Sequence, residues 1–211
     1  MRRIDKGKEC IELTHWKRKN PNGRYIQIDD PTRRAIRQSL LDEQHGLCAF
    51  CCQQLPSIDE CHNEHLQAQA THNTKTLDHD NLVASCNTKK QCGDAHGSQS
   101  LPLTPLMHEC ETELHFKLSG RVEGSTDRAK EAIRVLNLGD SEDKNKALIS
   151  RRKQLCDALM WNHYGNNFEN LQPEDDEVIE LLINEISQPE NGYLEPFSPV
   201  LVSMLRKQLR T

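Results

Sequence analysis

The pattern of apolar and polar positions is most regular in the C-terminal half of the chain, where it has helical spacing. Four stretches predict helices: RAKEAIRVLNL, SEDKNKALISRRKQLCDALMWNHY, PEDDEVIELLINEI and a last segment over residues 198–209. Apolar side chains recur there at spacings that place them on one face of a helix: Leu148, Leu155, Leu159, Val178, Leu181, Leu182 and Ile186. We interpret these stripes first as core packing and second as a docking groove for a partner.

The N-terminal half has one clear helical pattern, in the stretch DDPTRRAIRQSLLDEQHG that begins at Asp29. Acidic residues before Pro31 and a glycine after the run are start and stop signals for a helix. The apolar positions fall on one face: Ile36, Leu40 and Leu41. The basic positions are spread around the other sides: Arg33, Arg34 and Arg37. We interpret these arginines as a solvated face.

Short strand patterns occupy the middle of the chain. A strand-like stretch follows CAFCC, and a polar loop over 67–80 separates it from a second cluster of metal-type residues over 81–97. Beyond a connector over 97–105, LHFKLSGRVEGS alternates and turns at glycine, which predicts a β-hairpin. Because helical patterns flank these short strands, the sequence predicts an α+β fold.

The composition indicates a core that needs support and a charge that does not attract phosphates globally. Of the 211 residues, 35% are hydrophobic and 4% aromatic, so a metal or a partner should help to stabilise the core. The net charge is -5, so any contact with nucleic acid must be local or assisted by a cation. The sequence has neither an N-terminal apolar segment nor a run of membrane-spanning length, and we expect a cytoplasmic protein without membrane contact.

The nine cysteines favour metal ligation over disulfides in a reducing compartment. A CxxC pair and a second pair, with five residues between its members, predict a structural Zn²⁺ site with four thiolate ligands: Cys48, Cys51, Cys86 and Cys92. Cys52 and Cys61 stay open, and Cys52 could compete as a ligand. The remaining cysteines are interpreted as ordinary buried thiols: Cys10, Cys110 and Cys156.

Between the cysteine pairs lies CHNEH, and Asn81 follows His65 by 16 residues. Hydrolysis of a phosphodiester needs a base for water, a cation for the phosphate and a rigid frame. His65 can be the base because imidazole titrates near neutral pH, and Glu64 offers a hard oxygen ligand for Mg²⁺ or Mn²⁺. Asn81 can brace the loop and the strand with an amide that donates and accepts. A second cation ligand should follow the last zinc cysteine, where Asp94 and His96 are available.

Adjacent residues of a regular strand point to opposite faces, which matters for Glu64 and His65. Both can serve one site only where the strand ends, twists or bulges. Three nearby histidines are interpreted as residues without a catalytic role or as phosphate contacts: His62, His72 and His79.

Together these motifs resemble the HNH endonucleases in their zinc-supported form. The resemblance is carried by Cys48-A-F-Cys51, Asn63-Glu64-His65, Asp80-Asn81-L-V-A-S-Cys86 and Cys92-G-D-A-His96-Gly97. It implies a ββα-metal core in which His65 is the general base, Glu64 binds the catalytic Mg²⁺ or Mn²⁺, and Asn81 is the orienting residue. The last metal ligand then lies on the helix.

The sequence after Cys92 departs from the family pattern, because His96-Gly97 occupies the place where Lys-Gly is common. His96 is the first choice for the residue that completes the catalytic metal site, and it is counted among the catalytic residues. Asp94 is the second choice. Asn87 is the third choice if the register differs.

The flanks narrow the resemblance to the PtuB family, the HNH component of Septu-type anti-phage systems that also occurs in some retron systems. MRRIDKG, LLDEQHGLCAFC and the LNL at 136–138 carry it, and the similarity extends from Met1 to about Leu159. It implies an ABC-type ATPase partner resembling PtuA. In a retron setting, a reverse transcriptase and its RNA–DNA product would join them.

Together, the patterns and the resemblance predict three segments: an N-terminal segment and helix over 1–47, an HNH core with its zinc site over 48–120, and a mostly helical region over 121–211. The third segment is the candidate for docking the partner. The implied function is an effector nuclease of bacterial anti-phage defence, with DNA cleavage favoured over cleavage of tRNA or other RNA. Few aromatic residues and a negative net charge leave specificity to the partner. The alternative is a non-catalytic zinc-binding adaptor that docks onto the ATPase.

Overall fold

The computed structural model describes residues 1–69, 73–141, 143–166 and 176–209. Within these residues the protein is α+β, as the sequence predicts, with seven α-helices and two small antiparallel sheets. The helices are α1 (Ile11–Lys19), α2 (Asp30–Glu43), α3 (Cys92–His96), α4 (Asp127–Leu136), α5 (Lys146–Tyr164), α6 (Asp176–Ile186) and α7 (Ser198–Arg206). The strands are β1 (Cys61–His65), β2 (Leu82–Cys86), β3 (Leu114–Phe116) and β4 (Val122–Gly124).

The β1–β2 hairpin carries three of the predicted site residues, Glu64, His65 and Cys86, and Asn81 directly precedes β2. The strands pair antiparallel, from Cys61 opposite Cys86 to His65 opposite Leu82. A short turn then leads into α3, so the chain order in this region is strand, strand, helix. Every residue of β2 is buried, because α2 packs on one face of the hairpin and α3 contacts the other.

α2 forms the support beneath this hairpin, and its start follows the sequence signals. The Asp29 carboxylate accepts a hydrogen bond from Thr32 N at 2.9 Å, which caps the helix. Its apolar face is buried at Ile36, Leu40 and Leu41. Just past its end, the buried amide of Gln44 donates to the Ala84 carbonyl at 2.9 Å and accepts from Ala84 N at 2.7 Å. These paired bonds fix β2 against the end of α2.

The arginines of α2 are not a uniformly solvated face, so that interpretation is wrong for two of them. Arg33 and Arg37 are half-buried, whereas Arg34 is exposed. Arg33 donates to the Ile26 carbonyl at 2.8 Å, and Arg37 donates to the Ile58 carbonyl at 3.0 Å. The guanidinium groups are drawn inward because they satisfy backbone oxygens of the neighbouring 3-10 turns, which a periodicity argument does not consider.

Two helices precede the hairpin, whereas the sequence analysis expected one. The additional helix, α1, packs against α2. Leu13 is its one fully buried residue, and Trp16 packs partly against the core. Because so few apolar positions are buried, the usual helical stripe is weak in this stretch.

A largely covered carboxylate, Glu43 at the end of α2, fixes the N-terminal segment. Its oxygens accept from Lys6 Nζ at 2.5 Å and from Gly7 N at 2.6 Å, and they lie 3.3 Å from His79 Nε2. Lys6 also donates to the Leu82 carbonyl at 3.0 Å. The segment that precedes α1 is thus tied to the first residue of β2.

The C-terminal region contains the predicted hairpin, β3–β4, and the predicted helices. α5 begins at Lys146, later than the pattern indicates, because Asn145 caps it by accepting from Leu148 N at 3.3 Å. The part of the third predicted stretch, PEDDEVIELLINEI, that precedes Asp176 lies outside the described residues. Core packing accounts for most of the apolar stripes, since these positions are buried: Leu148, Leu159, Leu182 and Ile186. Val178 and Leu181 are exposed.

One continuous cluster of buried apolar residues extends from Met1 to Leu205 and passes through all three segments of the chain. The helical C-terminal region and the cysteine-rich region therefore share a core. Within the described part of the chain, the helices are all too short or too polar to cross a membrane.

Candidate active site

Four buried thiols lie together where the end of β2, the start of α3 and the turn after α2 meet. Their sulfur atoms all lie within 4.8 Å of one another: Cys48, Cys51, Cys86 and Cys92. Among the described residues, no other set of three or more Cys, His, Asp or Glu side chains meets this distance criterion. The structure thus brings together the four cysteines that the sequence spacing selects.

Local backbone geometry explains how the cysteines converge. Lys90 and Cys92 adopt left-handed conformations, with φ of 57° and 51°, which turn the chain sharply between β2 and α3. Cys86 N lies 3.4 Å from Cys48 Sγ, a contact typical of backbone amides around clustered thiolates. The buried Gln91 amide lies 3.6 Å from Cys51 Sγ and closes another side.

The donor set fits a structural Zn²⁺ ion. Zn–S bonds of about 2.3 Å in a tetrahedron place sulfur atoms ~3.8 Å apart, within the spread seen here. Burial raises the pKa of the Cys51 and Cys92 thiols, whereas hydrogen bonds from Cys48, Cys51 and Cys92 lower the pKa of Cys86. A divalent cation would displace the thiol protons and remove this conflict.

The cysteines left open by the sequence do not join this cluster. Cys52 has its side chain buried apart from it, and its carbonyl accepts from Phe197 N at 2.9 Å. Cys61 Sγ lies 3.7 Å from the Ser57 and Ile58 carbonyls. Of the three assigned as buried thiols, Cys110 and Cys156 are buried, and Cys10 is only partly covered.

The second cluster lies on the face of β1 that points toward α3, and Glu64 is its centre. Glu64 Oε1 lies 2.7 Å from His96 Nδ1, and Glu64 Oε2 lies 3.1 Å from His62 Nε2. The His96 side chain is fully buried, that of Glu64 is 12% exposed and that of His62 is 33% exposed. One side of the cluster is therefore open to solvent.

Both imidazoles are oriented through their far nitrogens. His96 Nε2 lies 2.8 Å from the Gln99 carbonyl, and His62 Nδ1 lies 3.0 Å from Asn87 Oδ1. Both partners are oxygens that can only accept, so the far nitrogens carry the protons. The near nitrogens can then share a proton with Glu64 or present a lone pair to a cation.

Electrostatics favour an ionised Glu64. Burial alone would raise the pKa of this carboxyl, but the hydrogen bonds from His62 and His96 outweigh burial and hold it below its ordinary value. Conversely, burial would lower the pKa of His62, and the hydrogen bond to Glu64 raises it. The Glu64 carboxyl thus stays ionised between the two imidazoles.

Gly93 makes room for this cluster at the start of α3. A Cβ atom at this position would lie 2.5 Å from His62 Nε2 and 2.7 Å from Glu64 Oε2. Gly93 N donates to Ser85 Oγ at 3.0 Å, which holds α3 against β2. Only a residue without a side chain leaves the space between the strand and the helix open.

His65 lies on the opposite face of β1 from Glu64, as strand alternation requires. Its ring packs edge-on against Tyr25 with centroids 4.7 Å apart, and it is 5% exposed. Nε2 lies 3.0 Å from the Thr76 carbonyl, and Nδ1 lies 3.3 Å from the Gln69 amide nitrogen. Burial lowers the pKa of His65, although the Thr76 contact and the charge of Glu64 oppose that effect. The lowered pKa favours the neutral ring.

Asn81 braces the loop between the strands. Its Oδ1 accepts from Gln67 N at 2.7 Å, and its Nδ2 donates to the Gln67 and Lys75 carbonyls at 3.1 and 3.0 Å. These bonds join both ends of the loop that follows His65. They match the bracing that the amide chemistry predicts.

The remaining candidates are placed elsewhere. Asp94 accepts from Lys90 N at 2.6 Å and pairs with Lys89, so its carboxylate stabilises the turn before α3. Its pKa is lowered by the Lys90 hydrogen bond. The geometry therefore favours His96 over Asp94 beside Glu64, while Asn87 orients His62. His79 contacts Glu43, and His72 lies outside the described residues.

Sequence reasoning undervalued His62 and missed Gly93 and Tyr25. Strand alternation contained the signal for His62, because positions two apart share a face and His62 precedes Glu64 by two. The role of Gly93 depends on the close approach of α3 to β1. The contact of Tyr25 with His65 depends on tertiary packing, and no local pattern marks either residue.

Comparison with known proteins finds neither a protein-family model nor a curated protein that matches the chain. The function is therefore inferred from the residues and their geometry.

Proposed function

We propose that this protein is a metal-dependent endonuclease of the HNH type that hydrolyses phosphodiester bonds. The proposal is carried by the 2.7 Å contact between Glu64 of β1 and His96 of α3, beside the buried His65. A carboxylate and an imidazole from separate elements provide ligands for a divalent cation, and the adjacent imidazole provides a base. The strand, strand, helix order and the neighbouring four-thiolate cluster support the same interpretation.

His65 would accept a proton from the attacking water at Nδ1. The Thr76 carbonyl can only accept, so Nε2 carries the proton of the neutral ring and Nδ1 has the lone pair. Water must then replace the amide of Gln69, which is an exposed residue at a long contact of 3.3 Å. Asn81 would keep the loop that carries Gln69 and Thr76 in register with β1.

Glu64 and His96 would hold the catalytic Mg²⁺ or Mn²⁺. When bound, the cation supplies charge neutralisation at the phosphate and at the leaving oxygen. Glu64 and His65 face opposite sides of β1, but the strand ends at His65. A phosphodiester that crosses the end of β1 can contact Glu64 on one side and His65 on the other. Two adjacent residues of a strand can therefore serve one site here.

The biological setting follows from the PtuB-like residues. We propose an effector nuclease of bacterial anti-phage defence that acts in the cytoplasm with a PtuA-like ABC-type ATPase. DNA is the favoured substrate, and tRNA or another RNA is the alternative. A retron reverse transcriptase with its RNA–DNA product would be a further partner in that context. The net charge of -5 supports delegation of substrate capture to a partner.

One observation favours the alternative function, a zinc-binding adaptor that docks onto the ATPase. His65 is 5% exposed, so the base is covered by its own loop and by Tyr25. An adaptor would use the four-thiolate cluster as a scaffold and would not need access to His65. A nuclease requires that substrate or partner binding uncover Nδ1.

A cleavage assay with two substrate classes tests the proposal. The purified full-length chain would be incubated with plasmid DNA and with total tRNA, in Mg²⁺ or Mn²⁺, with and without the ATPase. We expect cleavage of one substrate by wild type and by His15→Ala, an exposed histidine of α1, and no cleavage by Glu64→Gln. Equal cleavage by Glu64→Gln would contradict a catalytic cation held by Glu64. No cleavage under every condition would leave the adaptor.

A further inference from the structure

We propose that His62 is a third ligand of the catalytic cation, which makes the site a two-imidazole, one-carboxylate centre that prefers Mn²⁺ or a later transition metal over Mg²⁺. The inference deepens the proposed function and rests on its cation site at Glu64 and His96. It assigns a metal-binding role to a histidine that the sequence analysis interpreted as a residue without a catalytic role or as a phosphate contact.

His62 lies on the same face of β1 as Glu64. His62 and Glu64 are two residues apart on β1, so both side chains project from the face that α3 covers. His62 Nε2 contacts Glu64 Oε2 at 3.1 Å, while His96 Nδ1 contacts Glu64 Oε1 at 2.7 Å. The carboxylate thus lies between two imidazole nitrogens that both point at it.

The His62 and His96 rings are both oriented as metal ligands would be. Metal-binding histidines usually donate their other ring N–H to an oxygen, which fixes the tautomer and turns the lone pair toward the metal. His62 has this partner in Asn87 Oδ1 at 3.0 Å, and His96 has it in the Gln99 carbonyl at 2.8 Å. Two histidines on different elements share the same arrangement around one carboxylate.

Gly93 leaves space for an ion beside His62 and Glu64. Gly93 lies directly beneath His62 and Glu64, and a Cβ atom there would be 2.5 Å from His62 Nε2. The absence of a side chain keeps a cradle open between β1 and α3. His62 is the most exposed of the three side chains, at 33%, so it borders the side from which a substrate phosphate can approach.

The donor set selects the kind of ion. Imidazole nitrogens suit Zn²⁺, Ni²⁺, Fe²⁺ and similar ions, whereas Mg²⁺ prefers oxygen ligands and retains its water. Two imidazoles and one carboxylate therefore favour Mn²⁺ and later metals over Mg²⁺. Because the imidazoles contact different oxygens of Glu64, they must close around a single ion when it binds.

Binding of Mn²⁺, measured by electron paramagnetic resonance on the full-length zinc-loaded chain, tests the inference without any substrate. Mn²⁺ prefers oxygen and nitrogen ligands and should leave the four-thiolate cluster to Zn²⁺. We expect one Mn²⁺ per chain in wild type and in the control His15→Ala. In His62→Ala the dissociation constant should rise at least tenfold, and the preference for Mn²⁺ over Mg²⁺ in competition should fall.

His62→Gln, which keeps a side chain of similar size, replaces the alanine variant if that variant misfolds. Zinc content and circular dichroism would verify the fold of each variant. If a folded His62 variant binds Mn²⁺ as tightly as His15→Ala does, while Glu64→Gln loses binding, His62 is not a ligand and the cation site survives. If Glu64→Gln also keeps full affinity, the cation site of the proposed function fails as well. Loss of Mn²⁺ binding in His62→Ala supports the inference even if no nucleic acid is cleaved.

Discussion

Replacement of Glu43 by glutamine should destabilise the protein in a pH-dependent way, although Glu43 lies outside the candidate active site. The Glu43 carboxylate, 11% exposed, accepts from Lys6 and Gly7 and contacts His79. Burial would raise its pKa, but the hydrogen bonds from His79, Lys6 and Gly7 outweigh burial and lower the pKa from 4.5 to about 2. The folded state therefore strongly favours the ionised form.

The shift sets the magnitude. A pKa lowered from 4.5 to about 2 corresponds to about 3 kcal/mol of folding free energy at neutral pH, and solvent screening at this partly covered site reduces it to about 2 kcal/mol. Lys6 gives the opposite indication, because burial lowers its pKa despite the ion pair. In the acid range the pH dependence of this pair comes from titration of the Glu43 carboxyl. The cost of burying Lys6 is a reason to expect a large loss when its partner is removed.

The sign of the pH dependence follows from the lowered pKa. The stabilisation is present above the unfolded-state value of 4.5 and is lost as the pH falls through about 2. The difference in unfolding free energy between wild type and Glu43→Gln should thus be constant from pH 8 to about 6. It should shrink by roughly a quarter at pH 4 and by more than half at pH 3.

Urea unfolding of the two chains across this pH range measures the difference. Loss of zinc in acid affects both chains alike and cancels in the subtraction. Glu131→Gln, which removes the carboxylate of a solvent-exposed pair with Arg134 on α4, is the control and should show no measurable change. A Glu43→Gln variant as stable as wild type at pH 7, or a difference that grows toward acid, would refute the reasoning.

Three further predictions concern the hairpin and its two clusters. Removal of zinc by a strong chelator, or the substitution Cys48→Ser, should abolish cooperative unfolding. Elemental analysis should show the loss of one Zn²⁺ per chain, and an unchanged unfolding midpoint would contradict the four-thiolate site. Gly93→Ala should weaken Mn²⁺ binding at least tenfold without unfolding the chain, because its Cβ would clash with His62 and Glu64; Gly7→Ala, whose Cβ meets its nearest atom at 3.5 Å, is the control. Asn81→Ala should cost about 2 kcal/mol in urea unfolding, because it removes three hydrogen bonds that the buried Asn81 side chain makes to the loop. A loss below about 0.5 kcal/mol would show that the loop holds without them.

Much of the fold could be predicted because its signals are local. The start of α2 follows from a capping aspartate and a proline, and the β3–β4 turn follows from alternation and glycine. The four zinc-type cysteines were selected by spacing alone, since a CxxC and a second pair leave few alternatives. α1 lacked such a signal, because its contribution to the core is essentially Leu13.

The candidate site was predictable by residue type but not by contact. The sequence selects Glu64 and His96, but their 2.7 Å contact depends on how α3 packs on β1. Asp94 is the second choice of ligand from the sequence, and in the structure its carboxylate accepts a hydrogen bond from Lys90 N. Such choices depend on side-chain direction at a helix start, which spacing in the sequence does not determine.

The proposed activity depends on His65 as a base beside a cation held by Glu64. The most direct test is the cleavage rate of wild type against His65→Ala, with Mn²⁺ saturating, the ATPase present and zinc content verified in both chains. We expect the cleavage rate of His65→Ala to be lower by about 10²- to 10⁴-fold, the usual contribution of a general base, and its Mn²⁺ affinity to change less than threefold. A folded His65→Ala chain that cleaves at the wild-type rate would contradict that role.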